Sequence, residues 1–398
     1  MSRWTITGRG RLLPMSGRAS GDLGLIQGPW TLVIERDRIA AIRRGPAAPG
    51  DPEPIVDVGS ALCTPGLVDP HTHLAFAGDR SEEVAARSRG ERYSGGGILR
   101  TVAATREASD QDLRRRLDER LARALASGTT TIEVKSGYGL DPDQEARQLR
   151  LIGEAGAASP MRVVRTFLGA HAIPEGASAA QQAQAVIDAI PRVAGSAEHI
   201  DVFCEPNIFD VPLTRAILLA GRAHGLGIRV HADQVSRSGA AALGVELGAR
   251  SVDHLEQATT EDAQLIGRSQ TVATVLPGPA LLLRGGLPPV RALLDAGATV
   301  AIGSDCNAGT FGEPSMALAI GLGVMLGLSV GEAWWAATRG SAASLGMAGE
   351  VGVLAPGARA DVIAWDAEHE AAAAMRPGAV RPRTTVIGGV VRPAPDMR

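Results

Sequence analysis

From about residue 62 to 349 one pattern recurs eight times: an apolar run that ends in polar residues, then an Ala-, Leu- and Arg-rich stretch of helical character. The runs are "LCTPGLVDPHTH", "GTTTIEVKSGYG", "RVVRTFLGAHAIPEG", "HIDVFCEP", "GLGIRVHADQ", "SVDHLEQ", "TVATVLPG" and "TVAIGSDCNAG". The stretches between them include "DQDLRRRLDERLARALASG", "LTRAILLAGRAHG" and "PVRALLDAGA", each ending in or followed by glycine, the residue that most easily stops a helix. Strands that alternate with helices build a parallel sheet, and eight of them favour closure into a barrel. No glycine fingerprint for a dinucleotide follows the first run, which argues against an open doubly wound sheet.

The flanks read differently. "WTITGRGRLLP", "PWTLVIERDRIAAIRRG" and "PIVDVGSAL" at one end, and "VGVLAPGARADVIAWD" and "RTTVIGGVVRPAP" at the other, are short strand-like segments punctuated by Gly and Pro. Neither flank is long enough to bury a good core alone. The expected fold is therefore α/β, a (β/α)8 TIM-like barrel over 62–349 with a small β-sandwich domain formed from both chain ends, 1–61 and 350–398.

In a parallel barrel the C-terminal ends of the strands share one face, where active sites are built. The residues ending these runs are His71 and His73, Lys135 and Tyr138, His171, Glu205, His231 and Gln234, His254, and Asp305. His71 and His73 are two apart, so on a strand both point to the same side. Five histidines and an aspartate on one rim suit a metal: imidazole and carboxylate are ligands for Zn2+ or Fe2+, and a bound metal makes water acidic enough to attack near neutral pH. The proposed ligands are His71, His73, His231 and Asp305. A second metal would need a bridging ligand, but the fourth run ends "DVFCEP" and the chain's one lysine, Lys135, is on the second. One metal is expected. His199, His224 and His369 lie before strands or in the tail and receive no role.

Charge excludes other classes. Forty basic against forty-three acidic residues leave a net charge of -3, with no electrostatic case for nucleic acid or a membrane surface. Every long apolar stretch is interrupted by charge, Gly or Pro, and no secretory leader is visible. Cys63, Cys204 and Cys306 are far apart and odd in number, so no disulfide framework is expected, and the cytoplasm is the default compartment.

Together, "TPGLVDPHTH", the strand-five His231, "DHLE", "GSDCNAG" and the closing "GVLAPGARADVIAWD" resemble the amidohydrolase superfamily over essentially the whole chain. Within it, "HTHLAFAGDR", "GGGI" at 95–98, "EVKSGYGL", "FLGAHAIPEG", "HADQ" and "SDCNAGT" are similar to the imidazolonepropionase family. The resemblance implies a cytoplasmic, homodimeric enzyme of histidine degradation with one Zn2+ or Fe ion per subunit. It would hydrolyse 4-imidazolone-5-propanoate, a small cyclic amide, to N-formimidoyl-L-glutamate.

That substrate suits the residues. Arg80 can pair in bidentate fashion with the propionate; its ordinary alternative is a surface pair with Glu82 or Glu83. Tyr138 offers a hydroxyl, and His171 is expected to donate a hydrogen bond to oxygen as charge develops. The resemblance further implies that Gln234 contacts substrate and that Asn307, Gly309 and Thr310 contact product. Several relatives carry glutamate at the position of Gln234, and a glutamine cannot take up a proton. Base and acid work is therefore assigned to His254, which deprotonates the attacking water, and Asp305, which passes a proton to the leaving nitrogen. Lys135 either adds positive charge near the substrate or pairs with an acid. Glu205 is unassigned, and Cys306 is expected to point away from the site. Two rival functions are a mononuclear-metal deaminase of a cyclic amidine such as cytosine or guanine, and a non-catalytic scaffold.

Overall fold

The computed structural model describes residues 3–17, 19–90 and 97–392. The first two glycines of the "GGGI" run lie outside the described residues. All eight expected runs carry a strand: β1 (Leu67–Asp69), β2 (Thr129–Lys135), β3 (Arg162–Ala170), β4 (His199–Cys204), β5 (Gly227–Ala232), β6 (Ser251–His254), β7 (Val272–Val275) and β8 (Val300–Ile302). Each pairs in parallel with the next, in sequence order. The first and last strands are joined just beyond their C-terminal ends. Asp305 N donates to His71 O at 3.0 Å and His73 N to Cys306 O at 2.9 Å. The buried Asp69 carboxylate adds bonds from Ser304 N at 3.0 Å and Ser304 Oγ at 2.6 Å. Closure is thus built at the rim where the polar residues gather.

The helices start and stop where capping chemistry dictates. Ser109 caps Asp110–Ala126, Asp141 with Pro142 opens Pro142–Ala158, and Ser178 with Gln181 forms a capping box on Ala179–Val193. The three quoted helix candidates are the helices Asp110–Ala126, Val211–Ala223 and Val290–Asp295. Each is followed by a glycine of positive φ, Gly128, Gly225 and Gly297, as a left-handed helix end requires.

Two antiparallel-rich sheets flank the barrel. One comes wholly from the N-terminal segment, in the order Arg38–Arg44, Trp30–Glu35, Arg3–Gly8, Ile55–Asp57. The other draws on both ends: Val390–Arg392, Pro382–Ile387, Val362–Trp365, Cys63–Pro65, Arg11–Leu12 and Ile26–Gln27. Trp4, Ile6, Trp30, Leu32 and Ile34 of the first pack on Leu12, Cys63, Val362, Ala364 and Val386 of the second. The run "LCTPGLVDPHTH" consequently serves two layers. Cys63–Pro65 pairs with Val362–Trp365, and after Gly66 the chain enters β1. A side chain at Gly66 would lie 2.0 Å from Thr130 Oγ1, so only glycine fits at this crossing.

Candidate metal centre and active site

Apart from register shifts in β1 and β3, the barrel strands alternate, one set of side chains meeting the helices and the other filling the interior. In β2, Ile132 and Val134 pack outward while Glu133 and Lys135 face in; in β5, Ile228, Val230 and Ala232 pack outward while Arg229 and His231 face in. The interior of this barrel is therefore charged at its upper levels, and the strand-end histidines rest on that layer.

His71, His73 and His231 converge. The Nε2 atoms of His71 and His73 are 3.3 Å apart, and those of His231 and His73 are 3.4 Å apart. Asp305 Oδ1 lies 3.6 Å from His71 Nε2 and 3.4 Å from His73 Nε2, and it is buried without a hydrogen-bond partner among the described residues. His71 Nδ1 is hydrogen-bonded to Asp253 Oδ2 at 2.7 Å, so that ring holds its proton on Nδ1, and His231 Nδ1 lies 2.9 Å from Asp201 Oδ2. The Nε2 atoms of His71, His73 and His231 and a carboxylate oxygen of Asp305 thus face a common centre. Tetrahedral Zn–N bonds of about 2.0–2.1 Å would put ligand atoms about 3.3 Å apart, so the donor set fits a metal ion. Burial first, then the surrounding positive groups, push His71 and His73 well below the usual histidine value, which keeps them neutral as a ligand must be.

The layer beneath is a network that reading strand ends alone did not find. Lys135 Nζ lies 2.6 Å from Glu133 Oε1 and 2.9 Å from Asp201 Oδ2; Arg229 Nη2 lies 2.9 Å from Asp253 Oδ2 and donates to Pro70 O at 2.8 Å. Glu133 also accepts from Thr72 N at 3.1 Å, between the two histidines. With Asp305, four carboxylates face two cations, an excess of negative charge that a divalent cation offsets. Lys135 is fully buried and paired, so of its two expected roles the structure places it in the second. Glu133, Asp201, Arg229 and Asp253 were missed, although each stands at an inward position of its strand and could have been found by counting in twos.

Above this centre a small pocket, partly open to solvent, is lined by His73, Tyr138, His171, His231, Gln234, His254, Asp305, Asn307 and Thr310, together with Ile98 and Phe203. The last two were not anticipated. Gln234 is held in place by its neighbours: Glu205 accepts from Val235 N at 2.8 Å and from Ser236 Oγ at 2.6 Å, which gives the unassigned glutamate a tethering part. His254 Nδ1 lies 3.3 Å from Glu256 Oε1; burial disfavours its charged form, but Glu256, then Asp305, holds its pKa above the usual histidine value. His254 and Asp305 have φ of 86° and 49°, a left-handed backbone that side-chain-bearing residues rarely adopt.

At His171, expected as a donor to oxygen, the structure fixes the partner of the other nitrogen. Its Nδ1 lies 2.9 Å from the Gly137 carbonyl, which can only accept, so Nδ1 carries the proton. Burial, then the neighbouring His231, lowers its pKa to about 3, and the neutral ring presents Nε2 as an acceptor.

Asn307 is spent on its own turn, with Nδ2 donating to Asp305 O at 2.7 Å and Oδ1 accepting from Gly309 N and Thr310 N at 2.8 Å each. Gly309 lines an adjoining cleft that shares Asn307 and Thr310 with this pocket. Arg80 is 3% exposed and makes a two-pronged pair with Glu83, at 3.0 Å through Nε and 2.7 Å through Nη2, with its Nη1 packed against Gly309. Cys306 packs outward with Leu74, Leu117 and Leu121. His199 begins β4 at the opposite end of the barrel, and His224 and His369 are exposed.

Comparison with known proteins agrees with this geometry. The amidohydrolase family matches residues 62–392. An imidazolonepropionase of Rubrobacter xylanophilus is 46% identical over 369 residues, covering 89% of this chain and 88% of the relative. One of Salinispora arenicola is 43% identical over 398 residues, covering 98% and 99%. Among solved structures, 5-methylcytosine deaminase from Klebsiella pneumoniae superposes with a TM-score of 0.76 at 17% identity, covering 99% of each chain. Atrazine chlorohydrolase from Arthrobacter aurescens, complexed with zinc, superposes at 0.70 and 19% identity, covering 97% of this chain and 94% of that one. At such identities the solved structures bear on the fold alone; the extent of the family match and of the closer relatives decides membership, and the chain belongs to the amidohydrolase family, within it to the imidazolonepropionases.

Proposed function

We propose that the chain hydrolyses the cyclic amide C–N bond of 4-imidazolone-5-propanoate, giving N-formimidoyl-L-glutamate in histidine degradation. The observation that carries this reading is 46% identity with a curated imidazolonepropionase over most of both chains. The convergence of His71, His73, His231 and Asp305 supplies its chemistry. These four residues would hold one Zn2+ or Fe ion per subunit. When bound, that ion makes water more acidic and polarises the ring carbonyl.

His254 is assigned the base. Its Nδ1 proton is directed at Glu256, so Nε2 is the nitrogen that orients the attacking water and takes its proton. Attack on the ring carbonyl carbon and rupture of the ring C–N bond leave a carboxylate. Asp305 takes the second proton of the attacking water as the carboxylate forms and passes it to the departing nitrogen, while the first proton leaves from His254 to solvent. Gln234 cannot share in this transfer and serves through hydrogen bonds to substrate. His171 accepts from a ring N–H, and Tyr138 lies beside it with ring centroids 5.2 Å apart. The Arg80 edge formed by Nε and Nη2 pairs with Glu83; its guanidinium lies beside Gly309 and is assigned the propionate, with Asn307 and Thr310 shaping that end for product. The same reading includes a cytoplasmic homodimer whose barrel, 62–349, is set into a β-sandwich domain made of 1–61 and 350–398.

The test follows loss of 4-imidazolone-5-propanoate absorbance with purified protein, with its chelator-stripped form and with no protein. Expected is loss with formation of N-formimidoyl-L-glutamate, abolished by stripping and restored by Zn2+ or Fe2+. No loss above the blank, or release of ammonia from cytosine or guanine instead, would overturn the reading.

A further inference from the structure

The loop that carries Tyr138 is held by a helix rather than by the barrel alone. Glu145, buried in the first turns of helix Pro142–Ala158, accepts hydrogen bonds from Gly137 N at 2.9 Å, Gly139 N at 2.8 Å and Leu140 N at 2.8 Å, and from the Ser136 hydroxyl. Gln148, one turn further on the same face, accepts from Tyr138 N at 3.4 Å. Four successive backbone amides are therefore turned towards one helix face. The loop bends to allow this: Gly137 has φ of +114° and Leu140 of +54°, and a side chain at Gly139 would lie 2.7 Å from Glu145 N. With its amides so directed, the loop presents the Gly137 carbonyl to His171 Nδ1 at 2.9 Å.

We propose that Glu145 is a positioning residue for the reaction: acting through the Gly137 carbonyl, it holds His171 in the Nδ1–H tautomer, so that Nε2 meets the substrate as a hydrogen-bond acceptor. The role requires a carboxylate. Every partner of Glu145 in the loop is a donor, and a carboxylate is the one side-chain group of this size that only accepts. The isosteric Glu145→Gln puts an NH2 group against backbone N–H groups and forces the loop to turn. His171 then loses its carbonyl partner, and the Nε2–H form, which sets a donor against a ring N–H of the substrate, becomes accessible.

The substrate contact rests on the proposed function; the tautomer does not, and the experiment reads them separately. Histidine-selective 15N spectra of the metal-loaded enzyme are assigned by comparison with His171→Asn; the chain's eight histidines keep the spectrum tractable. Expected for the native enzyme is an Nδ1-protonated, neutral His171. Glu145→Gln should show Nε2–H character at His171 and a kcat/KM lower by about tenfold, the scale of one lost buried hydrogen bond, with metal content unchanged. An Nε2–H or doubly protonated His171 in the native enzyme overturns the proposal without any variant, so a Glu145→Gln protein that failed to fold would not shelter it. A variant with the native His171 signal and native kcat/KM also overturns it. Native protein with the expected signal but no hydrolysis would count against the function and leave the Glu145 assignment standing.

Discussion

Three side chains at the centre, Asp233, His254 and Asp305, sit at φ of 51°, 86° and 49°. Non-glycine residues held in that region cost about 1–3 kcal/mol each. At His254 and Asp305 the conformation aims a side chain into the pocket, and at Asp233 it lets the carboxylate bind Gly239 N and Ala241 N ahead of a helix. If His254 is the base, His254→Asn should lower kcat by roughly 10²–10⁴ while elemental analysis finds the native metal content. Near-native turnover would remove the assignment. Lys135 gives a test of the layer below. Burial alone disfavours its ammonium, but Asp201 and Glu133 hold its pKa above the usual lysine value. Lys135→Met leaves both carboxylates buried without their cation, which should cost about 3–5 kcal/mol in urea unfolding. It should also weaken metal binding about 10- to 100-fold, because Asp201 steadies His231. An exposed lysine would show neither loss.

At the scale of elements, each strand carries two instructions at once. Its outward residues, such as Val230 and Val252, fill the layer between sheet and helices, and its inward residues, such as Arg229 and Asp253, build the charged floor of the site. The outer sheet has its own buried acid. Asp361, beside Val362–Trp365, accepts from Gly388 N at 2.8 Å and Arg359 Nε at 3.1 Å, and burial raises its pKa despite these partners. A carboxyl whose folded pKa exceeds its unfolded value of about 3.9 binds protons more tightly when folded, so its contribution to stability falls as pH rises above about 4. Asp361→Asn does not titrate. Its stability relative to the native chain should therefore improve as pH rises from 4 towards neutrality, read as the difference in urea midpoints; a difference that is flat or opposite in sign would show that Asp361 does not ionise against its burial.

On the scale of the whole molecule, the two chain ends are one structure. Cys63–Pro65 lies between Arg11–Leu12 and Val362–Trp365 in a single sheet, directly before β1. A chain ending at residue 349 loses Val362–Trp365 and Pro382–Ile387, exposing Leu12, Cys63 and Trp30 and leaving Cys63–Pro65 an open edge next to the start of the barrel. We expect that truncation to be insoluble or to unfold without a cooperative transition in calorimetry. A soluble, cooperatively folding 1–349 would show that the barrel does not need the second flank.

Sequence by itself determined the barrel, because an apolar run followed by a capped amphipathic stretch, eight times over, has few other ways to bury both faces of its strands. It determined the rim as well, since the ends of parallel strands lie on one side whatever the loops do, and so His71, His73, His231, His254 and Asp305 were legible before any coordinate. Tertiary structure alone decided what each group does with its protons and charges. Whether Lys135 meets substrate or acids and which nitrogen of His171 carries hydrogen depend on partners far away in the chain, whereas the Arg80 fork is spent three residues on, at Glu83. Asp201 reaches Lys135 from β4, two strands along the sheet, and the Gly137 carbonyl reaches His171 from the end of the neighbouring strand, contacts made only when the strands pair. Local periodicity records the direction in which a side chain leaves its strand, whereas the atom that it meets is set by strands and helices folded against it.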